Sequence, residues 1–191
     1  MDPTSLSFDI RKDDMPEEMR ILLSEYPREM WETHPGFKEM TKNWLGAHQI
    51  FRRLADLLRQ DAEAVLDRVI EPEEYAPRLY RFGNALVGSL HGHHAWEDHE
   101  YFPELSAADP RFVRGLEILE KDHETLDQVL SAFIDVGEKA VEVAGDDDIK
   151  LRDAVGTLHG ITEAIEALLD RHLGDEEEIA VPIILHYRLR G

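Results

Sequence analysis

The sequence predicts an all-α protein: an up-down-up-down four-helix bundle with a short accessory helix ahead of it. Three observations carry this expectation. Four long stretches repeat apolar residues at three- and four-residue steps, the period of a helix buried along one face. Prolines and Asp/Gly clusters separate these stretches, with no Gly/Ser linker, so connections are short and sequence neighbours run antiparallel. The 191 residues, 42% of them hydrophobic, suit one domain with a real core.

Residues 1–36 form an N-terminal extension whose amphipathic piece, Pro16 to Trp31, is expected to pack across one end of the bundle. The bundle itself is placed at residues 37–185, and 186–191 is a C-terminal tail. Its first helix runs from Phe37 to Ile70, with the stripe Trp44, Ala47, His48, Phe51, Ala55, Leu58. The second, Tyr75 to Phe102, tolerates Pro77 in its first turn and is expected to close at Pro103. Its stripe reads Leu79, Phe82, Leu86, Leu90, His93, Glu97. The third follows Asp109-Pro110, a capping aspartate and a proline at the first helical position, and ends near Ala144-Gly145. It presents Phe112, Leu116, Leu119, His123, Leu126, Leu130 and Phe133. The fourth follows Asp146-Asp147-Asp148, acidic residues that suit the positive end of a helix dipole, and is expected to fade before Pro182. Its stripe includes Leu151, Val155, Leu158, Ile165, Leu169, His172, Glu176 and Ile179.

Composition excludes several classes of function. Against 41 Asp and Glu stand 21 Lys and Arg, a net charge of −20. That field repels nucleic acid and anionic membrane surfaces alike. No apolar run approaches the roughly 20 residues of a membrane-spanning helix. Met1-Asp2-Pro3-Thr4 lacks the basic start and apolar stretch of a secretory signal, so a cytoplasmic location is expected. Cysteine is absent, which removes thiolate catalysis, disulfides and iron–sulfur ligation from these residues. Any metal must be held by nitrogen and oxygen.

Each stripe is broken by polar residues. His48, His93, Glu97, His123, His172 and Glu176 stand where the periodicity otherwise places Leu, Ile or Phe. A lone inward histidine is commonly a satisfied core residue. Six intrusions over four helices are a different matter, because a half-satisfied buried network is worse than an apolar core. His93 and Glu97, and again His172 and Glu176, are four residues apart, which puts each pair on one helix face about 6 Å apart along the axis. Four nitrogens and two carboxylates thus converge. The mixture suits iron, with zinc or manganese open as alternatives, and suits calcium or magnesium poorly. A single tetrahedral zinc would leave two ligands unexplained.

In this order, a lone His, His-x-x-x-Glu, a lone His and a second His-x-x-x-Glu, the residues resemble the hemerythrin-like (HHE cation-binding) family over roughly residues 37–185. The run Glu97 to Pro103 looks like the ending of that family's second helix, and His172 through Glu177 to Pro182 like its fourth. The resemblance implies a non-haem di-iron centre. His48, His93, His123 and His172 would be terminal ligands, with Glu97 and Glu176 as bridges, completed by an oxygen-derived bridge and an open position. It implies dioxygen, peroxide or nitric oxide as the small ligand, in binding, sensing or stress defence. Oxygen-carrying relatives place two histidines four residues apart on the third helix, whereas Leu119 and Asp127 flank His123 here. A fifth ligand would therefore come from Asp127 or His94, or be missing. The looser centre that follows favours reaction with peroxide, oxygen or nitric oxide over reversible oxygen carriage.

Other readings stand beside this one. A ferritin-like centre needs Glu-x-x-His twice, and only Glu120-Lys121-Asp122-His123 supplies it. A bundle with a structural zinc or single iron, acting as an interaction module, is a second reading. Peroxide-consuming, catalase-like activity is a third. Nothing in the sequence marks an organic-substrate pocket or a nucleotide motif. His34 and His186 are expected to be solvated, His159 to sit on a helix flank, and His91 and His99 to point away from the site. Trp44 and Trp96 are expected to pack near the metal. The acidic run Asp175 to Glu178 reads as a solvated helix flank or, less simply, an iron-collecting patch.

Overall fold

A computed structural model describes residues 8–189, and every regular element in them is helical. The elements are a 3-10 turn at Glu17–Arg20, α1 (Ile21–Glu25), a second 3-10 turn at Arg28–Thr33, α2 (Glu39–Leu66), α3 (Pro72–Trp96), a π-helical turn at Glu97–Tyr101, α4 (Phe102–Ala108), a 3-10 turn at Pro110–Phe112, α5 (Val113–Val143) and α6 (Asp148–Tyr187). The long helices pack α2 on α3, α3 on α5, α5 on α6 and α6 on α2, so the contacts close a ring around a shared interior. No described helix is long and apolar enough to cross a membrane.

Local chemistry explains most boundaries. The Asp109 side chain accepts from the Arg111 N–H at 3.2 Å, and Asp147 caps α6 by accepting from the Lys150 N–H at 3.1 Å. α2 stops at Leu66, short of the expected Ile70, because Arg68 turns left-handed at φ 60° and the Val69 N–H returns to the Ala64 carbonyl. The Pro16–Trp31 piece is broken into short turns, with Pro27 leading the second, and is no single helix. Met15, Met19, Leu22 and Trp31 are buried in a cluster drawn from one end of the bundle: Trp44 of α2, Tyr101, Phe102 and Leu105, Leu116 and Leu119 of α5, and Ile179 and Ile183 of α6.

Two expected stops fail. Helix continues beyond Pro103 to Ala108, because the turn at Glu97–Tyr101 is wound as a π-helix. There the Phe102 N–H reaches the Glu97 carbonyl, five residues back, so the chain enters α4 with Pro103 in its first turn, where a missing N–H costs nothing. Pro182 lies inside α6, which runs on to Tyr187 and ends at left-handed Arg188. Pro182 and its neighbours Val181, Ile183 and Ile184 are all buried. Burying side chains of that size gains about 1.5–3 kcal/mol each, enough to offset one interior proline of about 3 kcal/mol.

The core is in two parts. One gathers Phe51, Leu58, Leu79, Leu86, Leu90, Leu130 and Leu158 with their neighbours. The other gathers Trp44, Tyr101, Phe102, Leu116, Leu119, Ile179 and Ile183 with the N-terminal segment. Along each long helix the polar intrusions fall where one part gives way to the other, so they form a layer between two apolar blocks.

Candidate metal centre

The six residues singled out by periodicity meet in that layer, and a seventh joins them. Their donor atoms form two groups, each close enough to hold one cation. His48, His93, Glu97 and Glu176 make the first; His94, His123 and His172 make the second. In the first, His48 Nε2 is 3.0 Å from His93 Nε2 and 3.5 Å from Glu176 Oε2, and His93 Nε2 is 2.8 Å from Glu97 Oε1. In the second, His123 Nε2 is 3.0 Å from His172 Nε2. Separations near 3 Å are those of donors sharing an ion at about 2 Å from each.

The carboxylates join the groups. Glu97 turns Oε1 towards His93 and has Oε2 3.7 Å from His123 Nε2. Glu176 Oε2 lies 3.5 Å from His48 and 3.9 Å from His172. His94 sits inside, stacked on His123 with ring centroids 4.0 Å apart. It follows His93 directly, and the two adjacent rings serve different groups because α3 faces α2 on one side and α5 on the other. Asp127, the other candidate for a fifth ligand, is on the surface 3.4 Å from His91 and is not part of the site. With five nitrogens in place, the expectation of a looser, nitrogen-poor centre loses its basis.

Carboxylates behind the rings set their tautomers. His48 Nδ1 donates to Glu177 Oε1 at 3.1 Å, and His123 Nδ1 donates to Asp98 Oδ1 at 2.8 Å. An ionised carboxylate only accepts, so each ring's proton is outside and its Nε2 lone pair faces inward. His172 Nδ1 looks towards Asp122 Oδ2 at 3.8 Å, too far for a hydrogen bond. The Trp44 indole N–H donates to Glu97 Oε1 at 2.7 Å.

Protonation follows burial and charge. Burial, then Glu97's negative charge, pushes the Glu176 carboxyl well above the usual range. Burial acts the same way on Glu97, but the His93 contact and the Trp44 N–H outweigh it and hold the group at about 2. Burial lowers His48, and lowers His94 well below the ordinary histidine value, in both cases with help from neighbouring imidazoles. His172 falls to about 4, chiefly by burial. His48, His94 and His172 are therefore neutral at pH 7, the form that binds a metal.

The decisive observation is what these atoms lack. Both nitrogens of His94, Glu97 Oε2, His172 Nδ1 and both oxygens of Glu176 are buried without a hydrogen-bond partner. A buried polar group left unpaired costs about 1–3 kcal/mol, so such a cluster makes sense as a cradle for cations. The family profile described as hemerythrin HHE cation binding domain matches residues 39–184. The chain belongs to the hemerythrin HHE cation-binding domain family. No curated protein and no solved structure gives a significant match. Family and cluster agree: this is a metal-binding helical domain whose imidazole and carboxylate donors suit iron.

The remaining expectations sort clearly. His91 and His99 are exposed, and His159 lies on a helix flank against Glu63 at 3.2 Å. His186 is exposed, whereas His34 is half-buried, 5.6 Å edge-on to Tyr26. The acidic run Asp175 to Glu178 is not a solvated flank: Asp175, Glu176 and Glu177 are buried. Periodicity missed His94 because one helix stripe predicts one inward residue per turn. The adjacent His-His pair was the available signal.

Proposed function

We propose that the chain is an up-down-up-down four-helix bundle that holds two non-haem iron ions and handles dioxygen, peroxide or nitric oxide. Residues 37–185 form the bundle in this reading, with 1–36 an accessory extension and 186–191 a tail. The ring of contacts among α2, α3, α5 and α6 and the short connections from α2 to α3 and from α5 to α6 support the topology. The observation that carries the metal assignment is the division of seven donors into two groups that share two carboxylates.

His48 and His93 would be terminal ligands of one ion, His94, His123 and His172 of the other, with Glu97 and Glu176 between them. The pair with two nitrogens has one protein donor fewer, which leaves it the more open. Iron bound there would supply one-electron redox steps and Lewis-acid binding of a small ligand. The protein's own contribution is orientation and exclusion. Glu177 and Asp98 hold the imidazole tautomers, and Trp44 fixes one oxygen of Glu97. Apolar rings crowd the two-nitrogen side, with Phe51 4.9 Å from His93 and Trp44 4.3 Å from His48. His93 is 10% exposed while His48 is 0% exposed, so a small molecule reaches the centre along the edge of His93.

The test is metal stoichiometry in protein purified from iron-supplemented cells, followed by absorbance. About two irons per chain with an oxo-to-iron charge-transfer band that bleaches on reduction is the expected result. One silent zinc per chain would replace this reading by a structural metal. Oxygen release from peroxide, compared with a His172→Ala, Glu176→Ala double variant, decides whether peroxide is consumed at the centre.

A further inference from the structure

The segment ahead of α2 carries three arginines, and all three face the acidic residues that back the metal-binding layer. Arg11 grips both oxygens of Asp122, with Nε 3.1 Å from Oδ1 and Nη2 2.8 Å from Oδ2, and its Nη2 also reaches Asp175 at 2.7 Å. Arg20 holds Asp175 at 2.8 Å and Glu178 at 2.9 Å. Arg28 donates to Glu177 at 2.7 Å. Two of these acids face metal-binding rings. Glu177 accepts from His48, in the two-histidine group, and Asp122 faces His172, in the three-histidine group. Asp175 and Glu178 face no ligand ring.

The segment is seated as well as charged. Met19 is buried against Gly115, where a Cβ would stand 2.8 Å from its Sδ, so a side chain at 115 would displace it. The Arg171 guanidinium donates to the Arg11 carbonyl from below. Residues 8–34 also precede the stretch matched by the family profile, which begins at residue 39. The strap is thus an addition to the cation-binding domain.

We infer that this segment is a latch on the metal centre, with Arg11 and Arg28 as positioning residues that act through Asp122 on His172 and through Glu177 on His48. The inference rests on the metal-binding reading above. An arginine fork fixes a carboxylate in plane and register: Glu177, so held, accepts from His48 Nδ1, and Asp122, so held, keeps its charge 3.8 Å from His172 Nδ1 without a hydrogen bond. The latch reaches one ring in each group through an acid, so opening it loosens both. Arg28 shares Glu177 with Arg52, which donates to Oε1 at 3.0 Å. Arg11 has no such understudy on Asp122 among the described contacts, so its loss leaves that carboxylate unheld.

The test uses the full chain loaded with iron and follows transfer of the metal to an excess of a coloured chelator. Arg11→Gln should speed release about 10- to 100-fold, the range typical of losing a group that orients a ligand. Arg28→Gln should speed it less. Arg20→Gln removes two ion pairs of similar length from acids that face no ligand, and should leave the release rate near wild type. Arg11→Lys keeps the charge but loses the fork, and should fall between wild type and Arg11→Gln. Thermal unfolding of each metal-free variant reports general loosening separately. Unchanged release in Arg11→Gln, or equal acceleration in Arg11→Gln and Arg20→Gln, would overturn the latch while leaving the metal site standing. Failure of wild-type protein to retain metal would overturn both.

Discussion

Replacing His94 by leucine should move two measurements in opposite directions. In metal-free protein the ring is 4% exposed, and neither nitrogen has a hydrogen-bond partner. Leaving such a group unpaired costs about 1–3 kcal/mol, and leucine fills comparable space without a polar atom. Part of that gain is lost with the stacking on His123, whose ring centroid is 4.0 Å away. A net stabilisation of about 1–2 kcal/mol raises the unfolding midpoint by roughly 2–8 °C in a chain of this size. The three-histidine group meanwhile drops to two nitrogens, so metal content should fall towards one ion per chain. Calorimetry in chelator and elemental analysis after loading measure both. A metal-free His94→Leu protein less stable than wild type would mean that His94 is an ordinary satisfied core histidine. Undiminished metal in the variant would remove it from the ligand set.

Further outcomes follow from neighbouring contacts. Saturating metal should stabilise wild type by about 4 kcal/mol at a thousand-fold excess over Kd, read as a midpoint that climbs with free metal. Iron binding should quench the emission of Trp44, whose ring is 4.3 Å from His48, and most of that quenching should vanish in Trp44→Phe. Asp109 is held below the usual carboxylate range chiefly by its side-chain contact with Arg111, helped by the Tyr187 hydroxyl. A depressed folded value stabilises above the unfolded pKa, so the Asp109→Asn penalty should be full above about pH 4 and shrink as pH falls through the lowered folded value. Urea titrations of both proteins at pH 7 and pH 3 check this. Gly115→Leu should displace Met19 at a cost of about 1–3 kcal/mol and expose residues 8–34 to limited proteolysis.

The helices were legible because burial on one face leaves a period that residue order alone displays, as in Leu116, Leu119, Leu126, Leu130. Their ends were less so where tertiary packing overrides a local rule. Pro182 stops a helix in isolation, yet here Val181, Ile183 and Ile184 are buried on every side, and packing outweighs the lost hydrogen bond. Pro103 failed as a stop for another reason. A π-turn adds a residue without changing the apolar pattern before it, so nothing from Glu97 to Tyr101 announces it. The N-terminal arginines were invisible as a group, because Arg11, Arg20 and Arg28 acquire common targets only when the chain folds back over α5 and α6.

The residues of the metal-binding layer divide in the same way. A helical stripe assumes one buried direction, and for His48, His123, His172 and Glu176 that assumption holds. α3 meets α2 on one side and α5 on the other, so at the polar layer it has two buried directions roughly 100° apart. Adjacent residues then both point inward, His93 to one group and His94 to the other, with Glu97 below the pair and able to present an oxygen to each. In the proposed ligand set, the fifth nitrogen therefore comes from α3 and not from α5. A sequence in which His94 moved to the buried position 119 should rebuild the group from α5, whereas a histidine at the exposed position 127 should not. His94→Leu combined with Asp127→His or Leu119→His tests that equivalence. Restored metal content with Leu119→His and an unrestored level with Asp127→His is the expected result, and the reverse would overturn this account of α5.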